Sequence, residues 1–364
     1  MKRIISLLLA LIMITGCFLG CDESEISTEN TPRRYYDNYT KVNGHTIARG
    51  INLRTYRSEN YGSDEYLLKN STYKGIASKG FDHIRLATDF RFYSIEDGVL
   101  DLEAMKTIDT AIKLANDNGL VVFLDFHGWY NLNMWRGEDE RFYKIWKSVA
   151  EHYKDYERND MLVFEIINEP HNSEGADLHM ENLDELVCTA ADIIREISPD
   201  RTLCFPTADS NKPFTLRDYE HAISFRDTKM MEYDNIIVAV HIYQPNEWTG
   251  QDIDWSGTKG QFARLDEVNI VELKMGLKDM ADFKKETGIP VILGEFGWNT
   301  LSCLEEDQIL YMQTVMDCLD ENGIPCTWWA YSDSVFSMYK QGTFFKKGQW
   351  NETLLEVLMQ QHRQ

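Results

Sequence analysis

Two glutamates carry the clearest chemical signal in this sequence. Glu169 follows the apolar run 163–168 and stands directly before Pro170, which cannot continue a strand ladder. Glu295 stands between Gly294 and Phe296, directly after Val291, Ile292 and Leu293. Each carboxylate therefore leaves a buried strand at its end. A single such glutamate is as readily the partner of a buried arginine, and Arg85 is a candidate for that partner. Two at matching strand ends point to acid–base work. Glycosidic cleavage needs this pair: one carboxyl protonated to supply the leaving oxygen, the other ionised to attack the anomeric carbon. Like-charge repulsion separates the two proton affinities and so the two roles. At a separation of about 5–5.5 Å no water fits between them, and a covalent glycosyl-enzyme with retention follows.

The elements that must position these groups are legible as alternation. Eight short, nearly continuous apolar runs, at 48–53, 83–88, 121–127, 162–168, 202–207, 236–243, 290–297 and 325–331, have the character of parallel strands covered on both faces. Between them lie helical periods. Leu102, Met105, Ile108, Ile112 and Ala115 share one face, and so do Phe142, Ile145, Trp146 and Val149. Further helices are expected over 183–197, 273–287 and 307–322, the last two ending at Gly288 and Gly323. Only 208–234 lacks a clear period. Eight strands alternating with helices predict a (β/α)8 TIM barrel in one catalytic domain. A doubly wound sheet is the alternative, but no glycine-rich phosphate loop follows the first strand. In a barrel, function collects at the C-terminal strand ends. Those ends hold Arg85, His127, Asn168 with Glu169, His241 with Tyr243, Glu295 and Trp329. Glu169 and Glu295 would leave strands four and seven, read as facing each other across the barrel.

Composition narrows the partners. A formal net charge of -22 repels nucleic acid and is indifferent to a neutral polymer. Lys2, Arg3 and the apolar stretch 4–14 have the form of an export signal, too short to span a bilayer. It ends in Ile14-Thr15-Gly16-Cys17, similar to a bacterial lipobox. Residues 1–17 are thus expected to be a lipoprotein signal with Cys17 lipidated, Cys21 being the second candidate. The polar stretch 22–40 reads as a flexible tether, and 41–364 as the catalytic domain. The protein is then exported and held at the cell envelope or surface by its lipid alone, with full secretion as the alternative. The remaining cysteines, Cys188, Cys204, Cys303, Cys318 and Cys326, are odd in number and lack metal-ligand spacing. No cofactor and no metal is expected, and a monomer is.

The order of these motifs along the chain resembles glycoside hydrolase family 5, the large cellulase family of retaining barrels. The resemblance rests on Ile167-Asn168-Glu169-Pro170 and Gly294-Glu295-Phe296-Gly297. Arg49 to Leu53, Gly80 to Arg85, Asp125 to His127, His241 to Tyr243 and Trp328 to Tyr331 extend it. It implies that Glu169 is the acid/base and Glu295 the nucleophile. It also implies that Asn168 bonds the sugar 2-hydroxyl, Tyr243 holds the nucleophile, His241 holds the acid/base and Arg85 favours the ionised nucleophile. His127 would reach the same sugar, and Trp329, chosen over Trp328, would floor it. The family's usual proline two residues after the arginine is missing in Arg85-Leu-Ala-Thr88, a departure in the region that shapes the cleft. Trp129, Trp135, Trp248, Trp255 and Trp298 lie in loops at the same mouth, where tryptophan either offers a sugar platform or packs the loop.

A metal-dependent barrel hydrolase would need a His-x-His on strand one, which reads Arg49-Gly-Ile-Asn-Leu53 instead. A glycan-binding lipoprotein without turnover is the rival from another class. Within the enzyme reading, the resemblance favours an endo-acting β-1,4-glucanase. β-Mannan, xyloglucan and mixed-linkage glucan are the alternative substrates, and exo action ranks below them.

Overall fold

The computed structural model describes residues 38–55, 64–95, 97–127, 139–171, 180–217, 224–332, 335–340 and 349–360. All eight expected strands form. They are β1 (Arg49–Arg54), β2 (His83–Thr88), β3 (Val121–Phe126), β4 (Leu162–Glu165), β5 (Leu203–Pro206), β6 (Ile236–Ile242), β7 (Val291–Phe296) and β8 (Cys326–Trp328). Each pairs in parallel with the next, and β8 closes on β1, so the sheet is an eight-stranded barrel. A small hairpin, Lys41–Val42 against His45–Thr46, precedes β1.

The helices on the outside are α1 (Asn70–Ser78), α2 (Leu102–Asp117), α3 (Asp139–Tyr153), α4 (Met180–Ile197), α5 (Glu267–Thr287), α6 (Glu305–Asn322) and α7 (Glu352–Met359). Local chemistry sets their ends. Asp101 caps α2 by accepting from the N–H groups of Glu103 and Ala104. Asp266 and Asn269 form a reciprocal capping box on α5. Gly288 and Gly323 end α5 and α6 in the left-handed conformation, as expected. At Gly323 a Cβ would also fall 2.1 Å from the Asn38 carbonyl oxygen, so the close approach needs glycine as well. After β5 only short turns are found among the described residues, Ala208–Asn211, Pro213–Leu216, Phe225–Asp227 and Lys229–Glu232. That explains the missing period over 208–234.

The period of two along each strand sorts the side chains. Leu124, Phe164, Val238 and Leu293 point outward into the layer shared with the helices. Val121, Phe123, Val163, Cys204, Ile237, Ala239 and Ile292 fill the interior. The same interior face carries Arg85, Asp125 and Glu165 one layer higher, all buried. Strand four and strand seven are three places apart in the closed ring, not opposite as the sequence suggested. Their glutamates meet through two local irregularities. Alternation from outward Leu293 would turn Glu295 outward too. Register shifts, between Leu293 and Glu295 against β6 and between Leu293 and Phe296 against β8, turn it inward. Glu169 lies beyond the end of β4 with φ of 43°, a left-handed conformation uncommon outside glycine.

Candidate active site

The interior of the barrel mouth is built around Arg85. Its Nε and Nη2 donate to the two oxygens of Glu165, both at 2.8 Å. Nη1 donates to Glu295 Oε1 at 2.6 Å and to Asn52 Oδ1 at 3.0 Å. Nη2 also reaches Asn168 Oδ1 at 2.8 Å and Asp125 Oδ2 at 3.0 Å. A rigid guanidinium fork is suited to holding several acceptors in fixed directions. One cation thus faces three buried carboxylates. Burial disfavours the Arg85 charge, yet the carboxylates hold its proton well above the usual range. Burial pushes Asp125 up to about 7 against the pull of Arg85, and raises Glu165 too.

Above this base sit the two glutamates. Glu295 accepts from Tyr243 Oη at 2.9 Å as well as from Arg85. Glu169 Oε1 lies 2.8 Å from His241 Nδ1, and the same nitrogen is 3.8 Å from Glu295 Oε2. One oxygen from each glutamate and one nitrogen of His241 all fall within 4.8 Å of one another. These donor types could hold a metal ion, but the Arg85 cation and the Tyr243 hydroxyl already occupy Glu295 and oppose one. Glu295 is nearly enclosed, whereas the Glu169 side chain keeps 27% of its surface open at the mouth. Desolvation raises the proton affinity of Glu169. It lowers His127 and His241 to about 4, so both rings are neutral in ordinary working conditions.

Further out, His127 Nδ1 pairs with Asp125 Oδ2 at 2.7 Å. The imidazole stacks on Trp329 with centroids 5.4 Å apart and planes at 10°. Trp329 is partly exposed at the mouth, with the Arg54 guanidinium 5.9 Å from its ring. Its neighbour Trp328 is wholly buried against Phe296 and Trp298. Gly297 leaves room for the Trp329 backbone, since a Cβ there would lie 2.5 Å from the Trp329 carbonyl oxygen.

Of the sequence-derived site residues, Arg85, His127, Asn168, Glu169, His241, Tyr243, Glu295 and Trp329 gather here. Trp248 does not. Its ring is fully buried, packed on Tyr311 at 5.2 Å and Trp298 at 5.5 Å, so it packs the loop and offers no sugar platform. Trp298 is buried likewise, whereas Trp255 is 70% exposed. Trp129 and Trp135 lie outside the described residues, as does Cys17. Sequence reasoning passed over Glu165 and Asn52, both bonded to Arg85. A charged residue inside the apolar run 162–168 was the available sign of Glu165.

Comparison with known proteins bears on the family. Residues 40–335 match the model of the cellulases, glycosyl hydrolase family 5. Endoglucanase A of Ruminococcus albus is 26% identical over 276 residues, covering 70% of this chain and 71% of that protein. Cellodextrinase A of Ruminococcus flavefaciens is 27% identical over 224 residues, covering 58% of this chain and 62% of the other. The structure of Thermotoga maritima Cel5A in complex with mannotriose superposes with a TM-score of 0.72. It is 25% identical and covers 90% of this chain and all of that one. A barrel of this topology, with the match running from its first strand to its last, leaves one assignment: the chain belongs to the cellulases, glycosyl hydrolase family 5, and is a glycoside hydrolase.

Proposed function

We propose that this chain is an endo-acting, retaining β-1,4-glucanase in which Glu169 is the acid/base and Glu295 the nucleophile. The observation that carries the reading is the spacing of the pair, with carboxylate oxygens within 4.8 Å. That closeness suits direct attack, the arrangement of retaining pairs at about 5–5.5 Å. In the first step Glu169 gives its proton to the glycosidic oxygen while Glu295 attacks the anomeric carbon. In the second, Glu169 takes a proton from the water that releases the sugar from Glu295. Arg85 and Tyr243 donate to the two oxygens of Glu295 and orient it. Asn168 spends its carbonyl oxygen on Arg85, which leaves its amide N–H groups for the sugar 2-hydroxyl. The Trp329 ring, backed by His127, supplies an apolar floor for the same pyranose.

The endo-β-1,4-glucan reading is supported by relatives named endoglucanase. The mannotriose complex of the Thermotoga protein favours β-mannan as the second substrate. Reducing-end release from carboxymethylcellulose, mixed-linkage glucan, xyloglucan, mannan and laminarin, with Glu295→Gln alongside, tests it. Release by the wild type alone supports the reading and names the glycan. Binding without release by either protein would replace it with a glycan-binding role. Lipid anchoring at Cys17 belongs to the same proposal: labelled palmitate should enter the wild type in a bacterial host and not Cys17→Ala.

A further inference from the structure

His241 has two nitrogens, and the one turned away from Glu169 meets a side chain that the mechanism has not used. Asn211 Nδ2 lies 3.4 Å from His241 Nε2, and Asn211 is fully buried. The segment that carries it is unusual. Asp209, Ser210 and Asn211 stand consecutively in the left-handed region, with φ of 50°, 61° and 59°. The Ser210 N–H donates to the Pro170 carbonyl oxygen, tying this turn to the residue after Glu169. The space beside the ring is also reserved, since a Cβ on Gly294 would lie 3.1 Å from Nε2. Among the described residues the Asn211 side-chain oxygen, Oδ1, is buried without a hydrogen-bond partner. A strained turn that aims one amide at one imidazole nitrogen, and leaves its own oxygen unmatched, is costly to the fold.

We propose that Asn211 is a positioning residue for the acid/base: its amide donates to His241 Nε2, fixes the proton on Nδ1, and thereby commits Glu169 Oε1 to accepting. This rests on the reading of Glu169 as acid/base and adds to it which oxygen acts. The ring is neutral, so only one nitrogen carries a proton. With Nε2 accepting from Asn211, that proton lies on Nδ1, 2.8 Å from Oε1. The proton Glu169 transfers is then confined to Oε2. In glycosylation the Oε2–H bond breaks as the proton goes to the glycosidic oxygen, and the electron pair of the C–O bond leaves with that oxygen. Oε1 meanwhile keeps its His241 donor, which steadies the carboxylate that remains. Glu295, Arg85, Glu165 and His127 also act on the ring charge, and His127, Arg85, His171 and Lys212 on that of Glu169.

Two readouts separate this role from simple packing. The ¹⁵N shifts of the His241 ring should show Nδ1 protonated and Nε2 unprotonated in the wild type. In Asn211→Asp, whose carboxylate only accepts, Nε2 should become protonated. Gly tolerates the left-handed backbone, so Asn211→Gly should keep the wild-type melting temperature within a few degrees, whereas Asn211→Asp buries a new carboxylate and should melt lower. Both should lose about 10-fold in kcat/KM on cello-oligosaccharides and less than about 2-fold on a dinitrophenyl cellobioside, whose leaving group needs no proton. A protonated Nε2 in the wild type would overturn the proposal, and so would equal losses on the two substrates. Glu169→Gln run beside them isolates the cause. If it shows the leaving-group split and the Asn211 variants do not, only this inference fails. If it shows none, the acid/base reading fails first.

Discussion

Two buried arginines on adjacent strands, Arg49 outside the barrel wall and Arg85 inside it, are solved differently. Arg49, on β1, is matched one to one. Its Nη2 pairs with Asp320, and its remaining donors go to the Leu358 carbonyl oxygen at 2.8 Å, the Tyr39 hydroxyl at 3.0 Å and the Ala48 carbonyl oxygen at 3.2 Å. This ties the start of β1 to α6 and α7, and the charges cancel. Arg85, on β2, faces Asp125, Glu165 and Glu295, with Glu169 close above. Here the carboxylates outnumber the cation, and burial works against every surplus charge. A fold selected for stability alone has no reason to keep such an excess. The contrast teaches that the balance of charge around a buried arginine, more than its burial, distinguishes a strut from a site.

Substitutions can break this contrast. The largest effect is expected from Glu295→Gln, which should lower kcat on the order of 10⁴-fold or more on every substrate while the fold is kept. Steady-state kinetics beside circular dichroism checks both halves. Next come the arginines themselves. Arg49→Met leaves Asp320 buried and uncompensated and should cost about 3–5 kcal/mol in chemical denaturation, with kcat of the folded protein unchanged. Arg85→Lys should do the reverse. A single ammonium cannot reach Glu165, Asn168 and Glu295 together, so kcat/KM should fall about 100-fold with little change in the denaturation midpoint. Matching losses of stability and activity in both variants would erase the distinction.

A smaller effect concerns stability against pH. Burial raises the proton affinity of Glu169 in the folded state above its unfolded value. The stability this contributes is present below the unfolded pKa and is lost as pH rises through the folded one. Once the pH lies above the folded-state value, the ionised and buried Glu169 therefore weakens the fold relative to a neutral side chain. The gain in melting temperature from Glu169→Gln should grow as the pH rises from 4 to 8. Calorimetry at the two pH values decides it. The smallest effect should come from Trp255, whose exposed ring is 6.3 Å from Phe336, itself 6.1 Å from Tyr243. Trp255→Ala should raise KM a few-fold on long oligosaccharides and leave kcat on short ones alone.

Most of the barrel was legible because both of its periods are written in apolar residues. The runs at 83–88 and 236–243 fall within a residue of the strands His83–Thr88 and Ile236–Ile242. What failed did so for local reasons. The inward turn of Glu295 depends on a register shift at β7 that no apolar pattern encodes. Trp248 reads as a loop tryptophan, and only tertiary packing shows that Tyr311 and Trp298 enclose it. Glu165 stood out as a charge inside an apolar run but carried no motif, and Asn211 lay in a left-handed turn in the stretch without a period. Motif reading finds the groups at the centre of the mouth. Asn211, which meets the far side of His241, comes from a turn with no motif at all.

The central claim is that the two mouth carboxylates act by double displacement, and the anomer formed first reports on it directly. ¹H NMR of the reducing end released from a β-1,4-linked cello-oligosaccharide, recorded before mutarotation, should show the β-anomer first, because two inversions restore the configuration. First appearance of the α-anomer would mean that a water attacks the anomeric carbon directly. That result would contradict the nucleophilic role of Glu295 and the direct attack inferred from carboxylate oxygens within 4.8 Å of each other.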